Sequence, residues 1–193
     1  MAAKLAADAP GRKPPARLFF FTDPQRTPDP AAVAACLPEG AAVVYRAFSA
    51  PDALEGAQRL RAVTRQRGCL LLVGADEALA AACEADGLHL PERDLGRAPW
   101  LRRDRPGWIL TGAAHSQAAL HQSADLDAAM VSPVFESRSA SAGEPLGVER
   151  LRLWARASAA PVIALGGVDA DTAPRLLGSG IAGLAAVEAW LRS

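Results

Sequence analysis

From position 17 onward the chain alternates between two patterns of apolar residues. In short runs, neighbouring positions are apolar in succession, as in strands buried on both faces, at residues 18–22, 42–46, 69–73, 87–90, 108–111, 128–132, 161–165 and 183–187. Between them lie stretches where apolar residues recur every three or four positions, the spacing of a one-sided helix: 30–37, 51–67, 77–85, 116–123, 147–157 and 171–178. Two further stretches, near 95–102 and 189–193, carry the helical period more faintly. Gly, Pro, Asp and Ser punctuate the boundaries.

Eight strand-then-helix units with doubly buried strands predict an α/β fold, a single (β/α)8 TIM barrel. Residues 17–193 are few for that fold, so several helices must be short. An open doubly wound sheet is the competing architecture. Both place a ligand at the carboxyl ends of the strands.

At 193 residues, 50% hydrophobic and 22% charged, the chain holds one domain, expected over 17–193. Residues 1–16, rich in Ala and Pro, read as a disordered leader. Lys and Arg number 21 and so do Asp and Glu, with no long run of either sign, so neither nucleic acid nor an anionic membrane surface is an expected partner. A small molecule or another protein, including a second copy of the chain, fits better. Cys36, Cys69 and Cys83 are odd in number and lack metal-ligand spacing, which points to buried thiols in a reducing compartment. The apolar run near residue 18 is too short for a signal peptide or a membrane span, and the expected location is the cytoplasm.

The strand ends concentrate the chemistry. Gly166-Gly167 follows the seventh strand and precedes Asp169-Ala170-Asp171-Thr172; main-chain N–H groups without a Cβ in the way can close on a phosphate there, and the alternative is a tight turn. The small residues at the carboxyl end of strand eight, Ala186 among them, leave room for the same anion. Arg46 ends the second strand and either holds an anion or pairs with a carboxylate. His89, inside a strand, reads as a structural hydrogen bonder. His115 stands where strand five gives way to a helix that Ser116 can cap, so it is the best general acid/base candidate. Asp23 and Asp94 are possible Mg2+ ligands or ordinary loop residues. Ser137, Ser139 and Ser141 lie on a polar loop that either closes over a substrate or is plain surface.

Taken in order, Phe20-Phe21-Thr22-Asp23, Val44-Tyr45-Arg46, Ala85-Asp86-Gly87-Leu88-His89-Leu90 with Asp94, Ala114-His115-Ser116, Ser132-Pro133-Val134-Phe135-Glu136-Ser137 and Ile163-Ala164-Leu165-Gly166-Gly167-Val168 resemble the thiamine phosphate synthase/TenI family. The pieces span nearly everything after residue 17. The resemblance implies a (β/α)8 barrel in thiamine biosynthesis. It also implies one of two activities: a synthase that ionises a pyrimidine diphosphate with Mg2+ and captures the cation with a thiazole phosphate, or a TenI-like thiazole tautomerase that needs no cofactor.

Departures from the synthase pattern favour the second. The strand-two Gln-x-Arg-x-Lys pattern is Val44-Tyr45-Arg46-Ala47-Phe48 here, and the Asn-Asp-Arg after strand three is Gly74-Ala75-Asp76. Ala140 replaces a lysine and Ala113 a serine, while Asp94 remains as the second metal carboxylate. Glu188 stands where the family usually has a small hydroxyl residue near the phosphate. The Val134-Phe135-Glu136 segment is closer to TenI, and the TenI acid/base histidine aligns with His115. The expectation is therefore a TenI-like enzyme binding a small phosphorylated thiazole: Gly166, Gly167 and Ala186 at the phosphate, Arg46 with Ser137 and Ser139 on the substrate, and His115 moving the proton. Thiamine phosphate synthase activity with Mg2+ at Asp94, and a non-catalytic phosphate-ligand protein, are the alternatives.

Overall fold

The computed structural model describes residues 13–137 and 143–189. Eight parallel strands close into a barrel in chain order: β1 (Leu18–Phe21), β2 (Ala42–Tyr45), β3 (Leu70–Gly74), β4 (Gly87–Leu90), β5 (Ile109–Ala114), β6 (Ala128–Val131), β7 (Val162–Ala164) and β8 (Gly183–Ala186). The ring is sealed by β8 against β1, with Phe19 opposite Ala185. The TIM barrel expected from the strand rhythm is thus the fold, and the open sheet is not.

Strand side chains alternate between two buried layers, which is why the strands read as continuous apolar runs. Phe19, Phe21, Val44, Leu72, Met130 and Ile163 fill the barrel interior. Their neighbours Phe20, Val43, Leu71, Leu88, Val131 and Ala164 face the helices. Ala16, just before β1, is buried against the inner cluster.

The helices are short: α1 (Pro30–Ala35), α2 (Ala53–Arg67), α3 (Glu77–Ala82), α4 (Ala98–Asp104), α5 (Gln117–His121) and α6 (Gly147–Ala157). A 3-10 helix (Glu92–Arg97) runs straight into α4, so the faint helical segment near 95 starts earlier than its periodicity suggested. The helix expected over 171–178 is a single 3-10 turn (Ala173–Leu176). The Asp169 carboxylate accepts the N–H groups of Asp171 and Thr172 at its start, and Gly178 with φ +73° stands just beyond its end, so only one turn fits between them. The segment expected over 189–193 lies, apart from Ala189, outside the described residues. Strand β5 runs three residues past its expected end because Gly112 lets the chain pass close to Leu95 and Leu126, where a Cβ would come within 2.4 Å of Leu95 Cδ2. Cys36 is exposed rather than buried, since it caps the end of α1; Cys69 and Cys83 are buried as expected, and burial pushes both thiols up.

One clamp recurs at the amino-terminal end of the barrel. The Asp86 carboxylate accepts the Leu71 N–H at 2.7 Å and both Arg61 Nη groups at 2.7 and 3.0 Å. Asp127 repeats this two units later, accepting the Leu110 N–H at 2.9 Å and Arg102 Nη2 at 2.7 Å. Each clamp ties a helix to a strand start that the sheet leaves half-bonded. Asp127→Ala removes the acceptor shared by the Leu110 N–H and Arg102, leaving the guanidinium only the Trp108 and Asp125 carbonyls, and is expected to cost about 2 kcal/mol in urea unfolding. A loss within experimental error of zero contradicts the assignment.

Candidate functional site

The carboxyl ends of the strands open into one broad cavity, where Phe21, Arg46, His115, Ser137, Gly166 and Ala186 share a wall. The barrel thereby brings together residues that strand endings alone could only nominate.

Both glycines after β7 take left-handed conformations, Gly166 with φ +90° and Gly167 with φ +65°. They also lie hard against the segment that follows β6. A Cβ on Gly166 would stand 2.7 Å from Pro133 Cα, and one on Gly167 would stand 2.3 Å from the Glu136 carbonyl oxygen. The Leu165 and Gly166 carbonyls accept N–H bonds from Val134 and Phe135, both at 3.0 Å. The pair therefore packs two strand-end loops together at the edge of the cavity. Thr172 Oγ1 donates to the Gly167 carbonyl at 2.8 Å and pins the turn from its other side. Arg175, beyond that turn, sits over the Phe135 ring at 4.6 Å and also lines the cavity.

His115 is the first residue after β5, exposed on the cavity wall. Its Nδ1 lies 2.8 Å from the Ser132 carbonyl oxygen and 3.3 Å from Ser132 Oγ. A carbonyl only accepts, so the proton of a neutral ring is assigned to Nδ1 and the lone pair to Nε2. Ser116 caps α5 as expected, accepting the Ala119 N–H at 3.1 Å.

Arg46 is braced on all sides. Its Nε donates to the Thr22 carbonyl at 2.7 Å, its Nη2 lies 3.5 Å from Asp23 Oδ2, and the guanidinium sits between the Phe21 and Phe48 rings. Burial pushes this guanidinium down and Asp23 pulls it back up, leaving it charged. Arg26 completes the cluster: it bonds Asp23 Oδ2 at 2.8 Å and reaches Glu188 Oε2 at 4.0 Å. The Arg26 guanidinium holds the Asp23 carboxyl below the ordinary carboxylate range. Glu188 therefore does face the cavity, with a cation beside it.

Beneath them His89 is buried, its Nδ1 3.0 Å from Thr111 Oγ1 and its ring edge-on to Phe21 at 5.1 Å. Burial drives the imidazole down to about 3, and repulsion from Arg46 and His115 adds to the effect. The unfolded chain takes up a proton near pH 6.5 that the folded chain refuses, so this group's contribution to stability is intact above about pH 6.5 and drains away toward about pH 3. Stability measured by urea titration should fall by up to about 1.4 kcal/mol per pH unit across that window, and His89→Gln should flatten the slope. An unchanged slope in the variant counts against a buried neutral imidazole.

Of the residues nominated from sequence, Arg46, His115, Ser137, Gly166, Gly167 and Ala186 all line the cavity. Ser139 lies outside the described residues. Asp94 is not among the lining residues; its carboxylate stands 4.0 Å from Arg93 Nε. Asp76, the acidic residue in the altered segment after β3, accepts the Leu79 N–H as the cap of α3. Among the described residues no group of three His, Cys, Asp or Glu side chains is placed to hold a metal. Arg26, Arg175 and Glu92 were not singled out from sequence. Nothing local marks them, since Arg26 and Arg175 lie on loops or short turns and Glu92 reaches its partners across the barrel rim.

A closed parallel barrel whose carboxyl-end mouth gathers a glycine turn, four arginines (Arg26, Arg46, Arg150 and Arg175) and two histidines (His89 and His115) has the layout of a TIM-barrel small-molecule site. The chain belongs to the thiamine monophosphate synthase family, whose model matches residues 18–190. It is 32% identical over 177 residues to a thiamine-phosphate synthase of Archaeoglobus fulgidus, covering 89% of this chain and 84% of that one. A thiamine-phosphate synthase of Alcanivorax borkumensis is 33% identical over 183 residues, covering 89% and 83%. Among solved structures, a thiamine phosphate pyrophosphorylase from Pyrococcus furiosus superposes with a TM-score of 0.75 at 25% identity, over 89% of this chain and 85% of that one. The family places the chain in thiamine biosynthesis, as the motif order suggested. The relatives carry the synthase name rather than that of a tautomerase. No helix among the described residues is long and apolar enough to cross a membrane.

Proposed function

We propose that the chain binds a thiazole phosphate in the barrel mouth and isomerises it by proton transfer at His115. The observation that carries this reading is the His115 ring itself, anchored through Nδ1 to the Ser132 carbonyl so that Nε2 holds the lone pair at the cavity wall. One proton leaves a carbon of the thiazole carboxylate phosphate and one is returned elsewhere on the same molecule, and the ring becomes aromatic. Electrons and atoms balance within the substrate. Gly166, Gly167 and the main chain at Ala186 hold the phosphate, with Arg46 and Ser137 on the carboxylate.

The names of the relatives favour a second reading, condensation with a pyrimidine diphosphate to give thiamine phosphate and diphosphate. Arg26 and Arg46, side by side in the mouth, are the cations that support it. The Mg2+ that this reaction implies does not fit the residues present: Asp94 is off the cavity beside Arg93, and Asp76 is committed to its helix cap.

Both reactions are assayed on the same protein. The proposal expects loss of the thiazole carboxylate phosphate isomer without added metal, and diphosphate release no faster than background when thiazole phosphate, pyrimidine diphosphate and Mg2+ are mixed. Metal-dependent diphosphate release instead establishes the synthase. Calorimetric binding of thiazole phosphate with neither turnover establishes a phosphate-ligand protein.

A further inference from the structure

The acid/base candidate is held from two directions, and only one of them belongs to its own ring. Glu92, the first residue of the 3-10 helix after β4, reaches over to the end of β5. Its Oε2 accepts the His115 backbone N–H at 2.5 Å and its Oε1 accepts the Ser116 hydroxyl at 2.7 Å. That hydroxyl in turn accepts the Ala119 N–H and caps α5.

We propose that Glu92 is the positioning residue of the acid/base centre, a carboxylate clamp that sets the direction in which His115 enters the cavity. This rests on the reading of His115 as the proton-transfer group. Strand β5 ends at Ala114, so His115 has left the sheet and its backbone needs another anchor. A charged acceptor bonding two successive residues fixes the backbone at both, and with it the Cα–Cβ direction of His115. The ring can then reach the Ser132 carbonyl, just past the end of β6, at 2.8 Å without searching. Backbone tied toward β4 and ring tied toward β6 leave the imidazole little angular freedom, the preorganisation that proton transfer requires.

The residue type matters. Two donors need two acceptor atoms, which a carboxylate supplies and an amide does not. Glu92→Gln keeps the shape and one acceptor, while Glu92→Ala removes the clamp.

The test has two readouts on the full chain, isomerisation kinetics and the 15N pattern of the His115 imidazole. Glu92→Ala is expected to lower kcat by about tenfold to about a hundredfold with KM changed by less than about twofold, since misplacement of about an ångström costs rate rather than binding. The His115 ring should change from the Nδ1–H form to a mixture of tautomers, with Glu92→Gln between the two. Wild-type kcat in Glu92→Ala, or an unchanged imidazole pattern in either variant, overturns the proposal. If Glu92→Ala does not fold, Glu92→Gln decides by its ring pattern. If His115→Ala turns over as fast as wild type, or the wild type isomerises nothing, the acid/base reading is what fails, and the ring pattern alone decides the role of Glu92.

Discussion

His115→Ala is expected to slow isomerisation by about two to four orders of magnitude while leaving the affinity for thiazole phosphate within about threefold of wild type. The reasoning separates chemistry from binding. His115 lines the wall built by β5 and β6, where its ring is tied to the Ser132 carbonyl, while the left-handed glycines belong to the turn after β7. Its removal takes away the exposed imidazole of the cavity wall; His89 cannot substitute, because burial keeps it from accepting a proton until about pH 3. Stopped-flow or chromatographic assay of the isomer, paired with calorimetric titration, checks both halves of the prediction. Retention of the rate shows that the proton moves through another group, and loss of affinity shows that His115 contacts the phosphate.

Gly167→Ala is expected to fail in the opposite way, losing the phosphate ligand and about 3 kcal/mol of stability together. Its φ of +65° disfavours any side chain, and the new methyl would stand 2.3 Å from the Glu136 carbonyl oxygen and 2.7 Å from Phe135 Cβ. Backbone on both sides has to give, since neither contact is the end of a flexible chain. The displaced segments are the ones that face the cavity, so calorimetry should detect no thiazole phosphate binding even in protein that remains folded. A variant with wild-type affinity and stability removes the glycine turn from the site. The same contacts explain why this dipeptide is glycine whatever it binds: the close approach to residues 133–136 demands it independently of any anion.

Much of the barrel was legible along the chain, and the reason is local. Each strand is buried on two faces and each helix on one, so Leu71-Leu72-Val73 and Met130-Val131 advertise strands that need no knowledge of their neighbours. The sequence places the end of β5 too early because Gly112 reads as a stop in one dimension, whereas in three it is the gap through which Leu95 and Leu126 pack. After β7 the apolar spacing predicts a longer helix than the one that forms, because it does not reveal that the Asp169 carboxylate and Gly178 bracket a single turn.

The candidate site divides along the same line. His115, Arg46 and the Gly166-Gly167 pair could be nominated because parallel barrels put function where strands end, and strand ends are visible in sequence. The direction of Glu188, the ion cluster of Asp23, Arg26 and Arg46, and the reach of Glu92 to His115 could not, since each joins residues from different strand ends. By itself the sequence determined the order of the elements, their two buried layers and the small set of polar residues at the carboxyl rim, because hydrophobic period and turn chemistry act over a few residues. Only the tertiary structure decided which of those residues meet, with Arg26 beside Glu188, Asp94 away from the cavity and His115 locked to Ser132. Those contacts depend on the register at which the eight strands close into a ring and on side-chain packing at the rim.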